Sequence, residues 1–220
     1  MRVSGIPIID VFAGPGGLAE GFSSLEVAGQ RAFRIALSIE KDPGAHQTLR
    51  LRGFYRQFAG DLPKAYHDML RGECAVEDLF SRFPAQFRRA DAECVLHELG
   101  PKTDAATRDL VRHALKGQPG DWGLIGGPPC QAYSLVGRSR NRGIQSYVPE
   151  KDHRQTLYIE YLQILADHRP TFFVMENVKG LLSATLDSER LFERILADLR
   201  DPATALRREN RRATDRKSVV

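Results

Sequence analysis

The chain has 220 residues, 42% of them hydrophobic and 27% charged, a composition that excludes a disordered or fibrous protein. It contains no run of about 18 apolar residues, so we expect no transmembrane helix. Residues 1–10 lack the apolar core of a signal peptide, which favours a cytoplasmic protein. The three cysteines are odd in number and irregularly spaced, as is typical of a reducing compartment.

The net charge of +4 arises entirely from residues 207–220, which hold six basic and two acidic side chains. Residues 1–206 are therefore formally neutral, and the overall charge gives no argument for a nucleic-acid partner. We predict one domain over residues 1–206, followed by a basic tail at 207–220.

Strands and helices are predicted to alternate along the chain. A buried strand is expected at Ile6–Phe12, followed by a glycine-rich turn into a helix at Gly16–Ala28. The further predicted elements are a strand at Arg34–Ile39, a helix at Pro43–Gly53, a strand at Trp122–Gly126, a helix at Arg154–Asp167, a strand at Thr171–Val178 and a helix at Ser188–Leu199. This alternation predicts an α/β fold with a doubly wound, mostly parallel sheet and helices on both faces.

The segment Gly60–Gly120 differs from the rest because it is polar, charged and mostly helical in pattern. Helices are predicted at Ala65–Leu70, Ala75–Phe83 and Asp104–Lys116. We interpret the segment as a helical insertion, or as a layer over one face of the sheet.

Glycines follow the first predicted strand directly. Gly14, Gly16 and Gly17 precede a helix whose N-terminus favours an anionic group. Glu40 ends the second strand about 20 residues further on, where open α/β sheets place an acid that binds ribose hydroxyls. A purely structural turn is the alternative, but the register of strand, helix and acid favours a cofactor with an adenosyl ribose.

A second loop, Gly126–Ser134, follows another strand end at the same predicted edge of the sheet. Two prolines stiffen the turn that displays Cys130. A free cysteine is more often a small buried hydrophobe, whereas this position suits a nucleophile.

The apolar strand within Phe172–Val178 ends abruptly in Glu176 and Asn177. A carboxylate there costs desolvation energy unless it is paired. It is interpreted either as a helix cap or ion pair for the next segment, or as a group that faces the same cleft as Cys130.

Together these motifs resemble those of the DNA (cytosine-5) methyltransferases, an S-adenosylmethionine-dependent, Rossmann-like family. The resemblance is carried by DVFAGPGG, SIEKD, GGPPCQAYS, HRQTLYIEYLQIL and MENV in this order. It covers Pro7–Leu182 apart from Gly60–Gly120. Methyltransferases that act on exocyclic amines carry a polar-Pro-Pro-aromatic loop instead, so Cys130 after the two prolines separates the two classes.

The resemblance implies that a methyl group is transferred from S-adenosyl-L-methionine to C5 of a cytosine flipped out of double-stranded DNA. Cys130 would be the nucleophile that adds to C6. Glu176 would hydrogen-bond N3 and the exocyclic amine of the base, and Asn177 would position the loop.

The same resemblance implies the residues that bind the cofactor. Phe12 would contact the adenine, Asp61 would bind the adenine amine, Glu40 would bind the ribose and Pro129 would shape the pocket. The full predicted set is Phe12, Gly14, Gly16, Gly17, Glu40, Asp61, Pro129 and Leu157.

The sequence departs from the family after the MENV strand. The family's basic Gln-x-Arg-x-Arg strand and its target-recognition domain do not follow, so we expect an incomplete, truncated catalytic domain. One back-translation of Asp215–Val220 resembles a sequencing adapter, so we expect these residues to be an artefact; a genuine polar tail is the alternative. The complete enzyme is expected to be a monomer in a restriction–modification system.

Two other functions compete with this one. A nicotinamide- or flavin-linked oxidoreductase would explain the glycine loop and Glu40 but not PPCQ or ENV. A truncated, non-catalytic subunit that binds cofactor or DNA is the second alternative. No metal site is predicted, because Cys94 and His97 form a lone pair of ligands.

Overall fold

The computed structural model of the chain describes residues 5–58, 61–116, 120–129, 157–183, 185–186 and 189–212. The chain divides into two compact units, Met1–Glu98 and Leu99–Val220. Over these described ranges, no helix is long and apolar enough to cross a membrane.

A parallel sheet forms the centre of the first unit. The strands of this unit are β1 (Ile6–Val11), β2 (Glu26–Val27), β3 (Gln30–Arg31), β4 (Phe33–Glu40) and β5 (Cys94–Leu96). In the parallel sheet β4 lies between β1 and β5, whereas β2 and β3 form a separate antiparallel hairpin. β1 is buried throughout after Ile6, which explains its nearly continuous apolar sequence.

The first helix is shorter than its sequence predicts. α1 spans Gly17–Ser24, and the β2–β3 hairpin follows it. Ala28 and Gly29 form the hairpin turn with φ values of 52° and 73°, the left-handed pair that two-residue hairpins favour. The prediction of helix up to Ala28 is therefore wrong beyond Ser24, since a helix cannot contain that turn.

Four more helices complete the first unit. They are α2 (Pro43–Arg56), α3 (Lys64–Leu70), α4 (Val76–Arg82) and α5 (Pro84–Glu93). α2 begins where Asp42 accepts a hydrogen bond from the Ala45 backbone N–H at 2.8 Å, with Pro43 at the first helical position.

The helices α2 to α5 enclose an apolar cluster of their own. Phe54, Ala65, Leu79 and Ala90 are buried at its centre. The partly buried side chains packed around them are Leu51, Phe58, Tyr66, Met69, Phe80, Phe83 and Phe87. The helices predicted at Ala65–Leu70 and Ala75–Phe83 are thus present as α3 and α4. The sequence did not predict α5, nor β5, which is a strand of the parallel sheet.

The second unit is also built from helices and parallel strands. Its elements are α6 (Asp104–Ala114), β6 (Gly123–Gly126), α7 (Tyr158–His168), β7 (Phe172–Met175), a 3-10 helix (Lys179–Ser183), β8 (Thr185–Leu186), β9 (Glu189–Arg190), α8 (Leu191–Arg200) and α9 (Pro202–Arg208). β6 and β7 pair in parallel, and the Tyr161 hydroxyl lies 3.1 Å from the carbonyl oxygens of Leu124 and Val174, one on each strand. The predicted α/β, Rossmann-like fold is confirmed.

Two arginines of the C-terminal region bind buried acids. Arg208 donates to both oxygens of Asp198 at 2.9 and 2.7 Å, and Arg211 donates to both oxygens of Glu160 at 2.6 and 2.9 Å. Asp198 and Glu160 are buried. Arg208 uses one nitrogen, Nη2, for both contacts, whereas Arg211 uses Nη1 and Nη2, one for each oxygen, the bidentate geometry that is strong and directional. Arg208 and Arg211, in the described part of the expected basic tail (residues 207–212), are therefore ion-paired with α8 and α7.

We predict that Arg211→Met lowers the free energy of unfolding by about 2–3 kcal/mol, because it leaves Glu160 buried without its partner. The matched control is Arg207→Met on the exposed side of α9, which should change stability by less than about 0.5 kcal/mol. Urea unfolding of both variants measures the difference. Equal effects of the two substitutions would contradict a specific role for the Arg211–Glu160 pair.

Candidate active site

The glycine loop after β1 leaves open space beside its backbone. Gly14 and Gly16 have φ values of 55° and 91°, a region that favours glycine. A Cβ added to Gly16 would lie 2.9 Å from the Leu49 Cδ1 atom. By contrast, a Cβ on Gly14 or Gly17 would meet no described atom within 4 Å. Gly16 is therefore needed for packing against α2, whereas Gly14 and Gly17 leave room for a ligand.

Phe12 begins this loop in an uncommon conformation. Its φ of 54° is costly for a residue with a bulky side chain. The next residue, Ala13, donates its backbone N–H to the Ile39 carbonyl at 3.0 Å. The loop is thus held against the end of β4 while the Phe12 side chain stays half-exposed.

Glu40 is the group that fixes the glycine loop. Its Oε2 accepts the Gly14 backbone N–H at 2.7 Å, and its Oε1 accepts the N–H groups of Lys41 at 2.8 Å and Asp42 at 2.7 Å. A carboxylate has about four lone-pair positions. Three are occupied by these donors, which leaves one on Oε2 for a further donor such as a ribose hydroxyl.

A row of buried polar side chains crosses the sheet below this loop. Asp10 is in register with Ser38, and Ser38 with Cys94, so the three side chains share one face. All three are buried. Neither carboxyl oxygen of Asp10, nor the Ser38 hydroxyl, has a hydrogen-bond partner among the described residues. Such groups are typical sites for bound internal water.

Burial raises the pKa of Asp10 to about 8. Arg56 opposes this shift and Glu40 adds to it, but the desolvation of the charged carboxylate dominates. Arg56 itself forms ion pairs with Glu93 and Glu20. Asp10 therefore keeps its proton near neutral pH. The sequence analysis did not single out Asp10, although an acid inside an otherwise apolar strand is visible in the sequence.

We predict a specific pH dependence of stability from Asp10. Its pKa is raised in the folded state from the ordinary 3.8 to about 8. At pH values between these two, Asp10 therefore keeps its proton in the folded chain and loses it in the unfolded chain. This contribution to the free energy of unfolding is full below about pH 4 and is lost as the pH rises to about 8.

Asp10→Asn removes this titration. Between about pH 5 and about pH 8, wild type should lose about 1 kcal/mol of stability per pH unit relative to that variant, as measured by urea unfolding. Ser38→Ala, which leaves Asp10 in place, is the control and should follow the wild-type slope. A constant difference between wild type and Asp10→Asn at all pH values would show that Asp10 titrates normally.

In the second unit, the ends of β6 and β7 are joined by hydrogen bonds. The Glu176 backbone N–H donates to the Gly126 carbonyl at 2.9 Å. The Asn177 side chain donates from Nδ2 to the Pro128 carbonyl at 3.2 Å and accepts the Val178 N–H at 2.9 Å. Asn177 thus connects the MENV turn to the Pro128–Pro129 turn, as a positioning residue would.

The Glu176 carboxylate lies over Gly127. A Cβ on Gly127 would lie 3.1 Å from Glu176 Oε2, so the absence of a side chain at Gly127 leaves room for the carboxylate. The sequence analysis did not identify this role of Gly127. Glu176 is exposed rather than desolvated. Neither a helix cap nor an ion pair of Glu176 is present among the described contacts.

Of the four remaining predicted site residues, the structure describes three. Pro129 and Leu157 are half-buried, and Asp61 is exposed between α2 and α3. Cys130, the predicted nucleophile, lies outside the described residues. Among those residues, no group of three or more His, Cys, Asp or Glu side chains is placed to hold a metal ion.

Comparison with known proteins agrees with these motifs. Residues 115–202 match the family model of C-5 cytosine-specific DNA methylase. The chain is 34% identical over 196 residues to a type II methyltransferase, M.Bpa9945I, from Bacillus paralicheniformis. It is 30% identical over 191 residues to M.DdeI from Desulfomicrobium norvegicum and 27% identical over 177 residues to M.AquIA from Picosynechococcus, both also type II methyltransferases.

These similarities cover most of this chain but less of the relatives. They include 80%, 87% and 80% of the chain, and 41%, 32% and 50% of the respective relatives. The chain thus spans half or less of the length of the proteins it matches. The three relatives named here are methyltransferases, not nicotinamide- or flavin-linked oxidoreductases.

Proposed function

We propose that this chain, which belongs to the C-5 cytosine-specific DNA methylase family, carries the catalytic part of a type II DNA (cytosine-5) methyltransferase. The observation that carries the proposal is the hydrogen bond from Asn177 to the Pro128 carbonyl. It joins the turn that leads to Cys130 with the turn that presents Glu176. Double-stranded DNA would be the substrate, the cytoplasm the place of action, and the enzyme a monomer.

The glycine loop fits the family's cofactor, S-adenosyl-L-methionine. The open side of Gly14 and Gly17 would accept the methionine end, and the remaining lone pair of Glu40 would accept a ribose hydroxyl. Phe12, Gly16, Pro129 and Leu157 remain predicted contacts. When bound, the cofactor supplies an electrophilic methyl group, which cytosine C5 attacks only after activation.

Activation of the base would fall to Cys130 and Glu176. The Cys130 thiolate would add to C6 of a flipped cytosine, forming an S–C bond and making C5 nucleophilic. Glu176 would hold the proton at N3 that neutralises the ring during this addition. Loss of the C5 proton would then expel the thiolate and restore the aromatic ring. Asn177 would keep the Cys130 turn in place.

We predict that Cys130→Ser abolishes covalent trapping on DNA that contains 5-fluorocytosine. Fluorine cannot leave as a proton does, so the wild-type thiol remains bound to C6 in a complex that survives denaturing electrophoresis. The variant should still bind S-adenosylhomocysteine in calorimetry. Cys74→Ser, at a half-buried position outside the site, is the control and should trap normally. A wild-type chain that binds the cofactor and DNA but forms no covalent complex with the DNA would favour the non-catalytic alternative.

We predict that Glu40→Gln weakens S-adenosylhomocysteine binding almost as much as Glu40→Ala, by about tenfold or more. Glutamine has one acceptor oxygen where three backbone N–H groups need acceptors, so the glycine loop loses its anchor in both variants. Isothermal calorimetry gives the dissociation constants, and Glu26→Gln, at an exposed position in β2, is the control. Wild-type affinity in Glu40→Gln would show that the carboxylate does not bind this cofactor.

A further inference from the structure

We propose that Glu20, through its ion pair with Arg56, positions the glycine loop (Gly14–Gly17) for S-adenosyl-L-methionine. Glu20 is a positioning residue, because it acts on the loop and not on the cofactor itself. The inference rests on the proposed function, since it concerns the same cofactor, and it follows from the way in which Arg56 joins the helices of the first unit.

Arg56 is a buried arginine at the end of α2. Only 8% of it is exposed, and its guanidinium contacts acids of two other helices. Nη1 donates to Oε1 of Glu20 in α1, and Nε and Nη2 both donate to Oε1 of Glu93 in α5. A guanidinium stays charged in a protein, and a buried charge without its partners is strongly destabilising. The two ion pairs therefore hold α1 and α5 against α2.

Glu20 is directly connected to the glycine loop. α1 begins at Gly17, so Glu20 lies in the first turn of the helix. The Glu20 backbone N–H donates to the Gly16 carbonyl at 3.1 Å, and the Gly16 N–H donates to the Ala13 carbonyl at 2.9 Å. Gly16 is the N-cap of α1 and provides no side-chain hydrogen bond to the helix. The position of this end of α1 therefore depends on contacts made by its first turn, and Glu20 makes a charged one.

α2 supports the end of the glycine loop at two positions. The first is the close packing of Gly16, where a Cβ would lie 2.9 Å from Leu49 Cδ1. The second is the ion pair of Arg56 with Glu20. Leu49 and Arg56 are seven residues apart in α2, about two helical turns, so they lie on the same face of the helix. α2 thus holds the end of the loop, whereas Glu40 binds Gly14 at its beginning.

Glu93, the second partner of Arg56, provides a matched comparison. The Glu93 side chain is 11% exposed, and the Glu20 side chain is 33% exposed. Glu93 also accepts a hydrogen bond from Gln57 at 3.4 Å, and it lies at the end of α5, whereas Glu20 lies next to the glycine loop. Loss of Glu93 should therefore cost more stability, because this acid is more deeply buried. Loss of Glu20 should have the larger effect on the loop.

Replacing each acid by alanine separates positioning from stability. Urea unfolding should show a larger loss of stability in Glu93→Ala than in Glu20→Ala. Calorimetry with S-adenosylhomocysteine should show the opposite order, with a dissociation constant about fivefold higher in Glu20→Ala and within about twofold of wild type in Glu93→Ala. Alanine favours a helix, so the substitution does not weaken α1 itself. The ligand carries one ammonium and one carboxylate group, so the loss of charge at Glu20 alone should change its affinity little.

Glu20→Gln is the conservative variant of the same position. Its amide oxygen can still accept a hydrogen bond from Arg56. The affinity for S-adenosylhomocysteine should therefore be restored to within about twofold of wild type.

Each result decides the role of Glu20. Wild-type affinity in Glu20→Ala, an affinity loss that follows the loss of stability in the two alanine variants, or equal affinities of Glu20→Gln and Glu20→Ala would overturn it while the proposed cofactor stands. A Glu20→Ala chain that does not fold would also overturn it, since Glu20 would then be a structural residue. If wild type does not bind S-adenosylhomocysteine, the cofactor proposal fails, and the role of Glu20 fails with it. Weaker binding in Glu20→Ala, with near wild-type binding in Glu20→Gln and Glu93→Ala, supports both.

Discussion

In the first unit, a single carboxylate, that of Glu40, fixes the loops at the carboxyl ends of β1 and β4. Its three backbone donors come from two different loops, the glycine loop at Gly14 and the start of the β4–α2 connection at Lys41 and Asp42. Hydrogen bonds to a charged acceptor are stronger than those between neutral groups. The glycine loop can therefore keep left-handed residues and open space beside Gly14 and Gly17, since hydrogen bonds to Glu40 fix its position.

The buried polar side chains beneath the glycine loop are unfavourable for the stability of the sheet. Asp10 and Ser38 lie at the centre of the sheet, where apolar side chains would give better packing, and neither has a partner among the described side chains. Arg56 is close enough to influence Asp10, yet its own ion pairs with Glu93 and Glu20 occupy it. The sheet tolerates Asp10 because the carboxyl group can remain neutral, which reduces the desolvation cost.

Sequence patterns predicted the elements that have strong local signals. The apolar runs of β1, β4, β6 and β7 and the glycine turn after β1 identified the α/β fold, and the order of the motifs identified the family. For two of the elements that the sequence did not predict, the physical reason is clear. Leu25 and Val27 continue the apolar spacing of α1, so only the left-handed Ala28–Gly29 pair distinguishes a hairpin there. β5 is three residues long and lies among charged residues; its pairing with β4 depends on contacts distant in sequence, which no local pattern encodes.

In the candidate site too, some features have local sequence signals and others depend on contacts distant in sequence. Glu40, Asn177 and the glycines were predicted from motifs, and the structure adds what each one contacts. The environments of Asp10 and Gly127 depend on neighbours in three dimensions: a register across strands and a carboxylate over a glycine. Neither contact could be derived from residue spacing alone, because each joins segments whose relative position is fixed only by packing.

The aromatic cluster of α2 to α5 also affects how the first unit can fold. Ser38 and Cys94 pair in the sheet, so the whole segment between them must be closed into a loop before β5 can join. The entropy of closing a loop grows only slowly with its length, and the cluster around Phe54 shortens the effective loop because its helices pack locally. Local contacts formed early can thus reduce the kinetic penalty of a distant strand pairing. A long connection inserted before an outer strand remains compatible with efficient folding when it brings its own core.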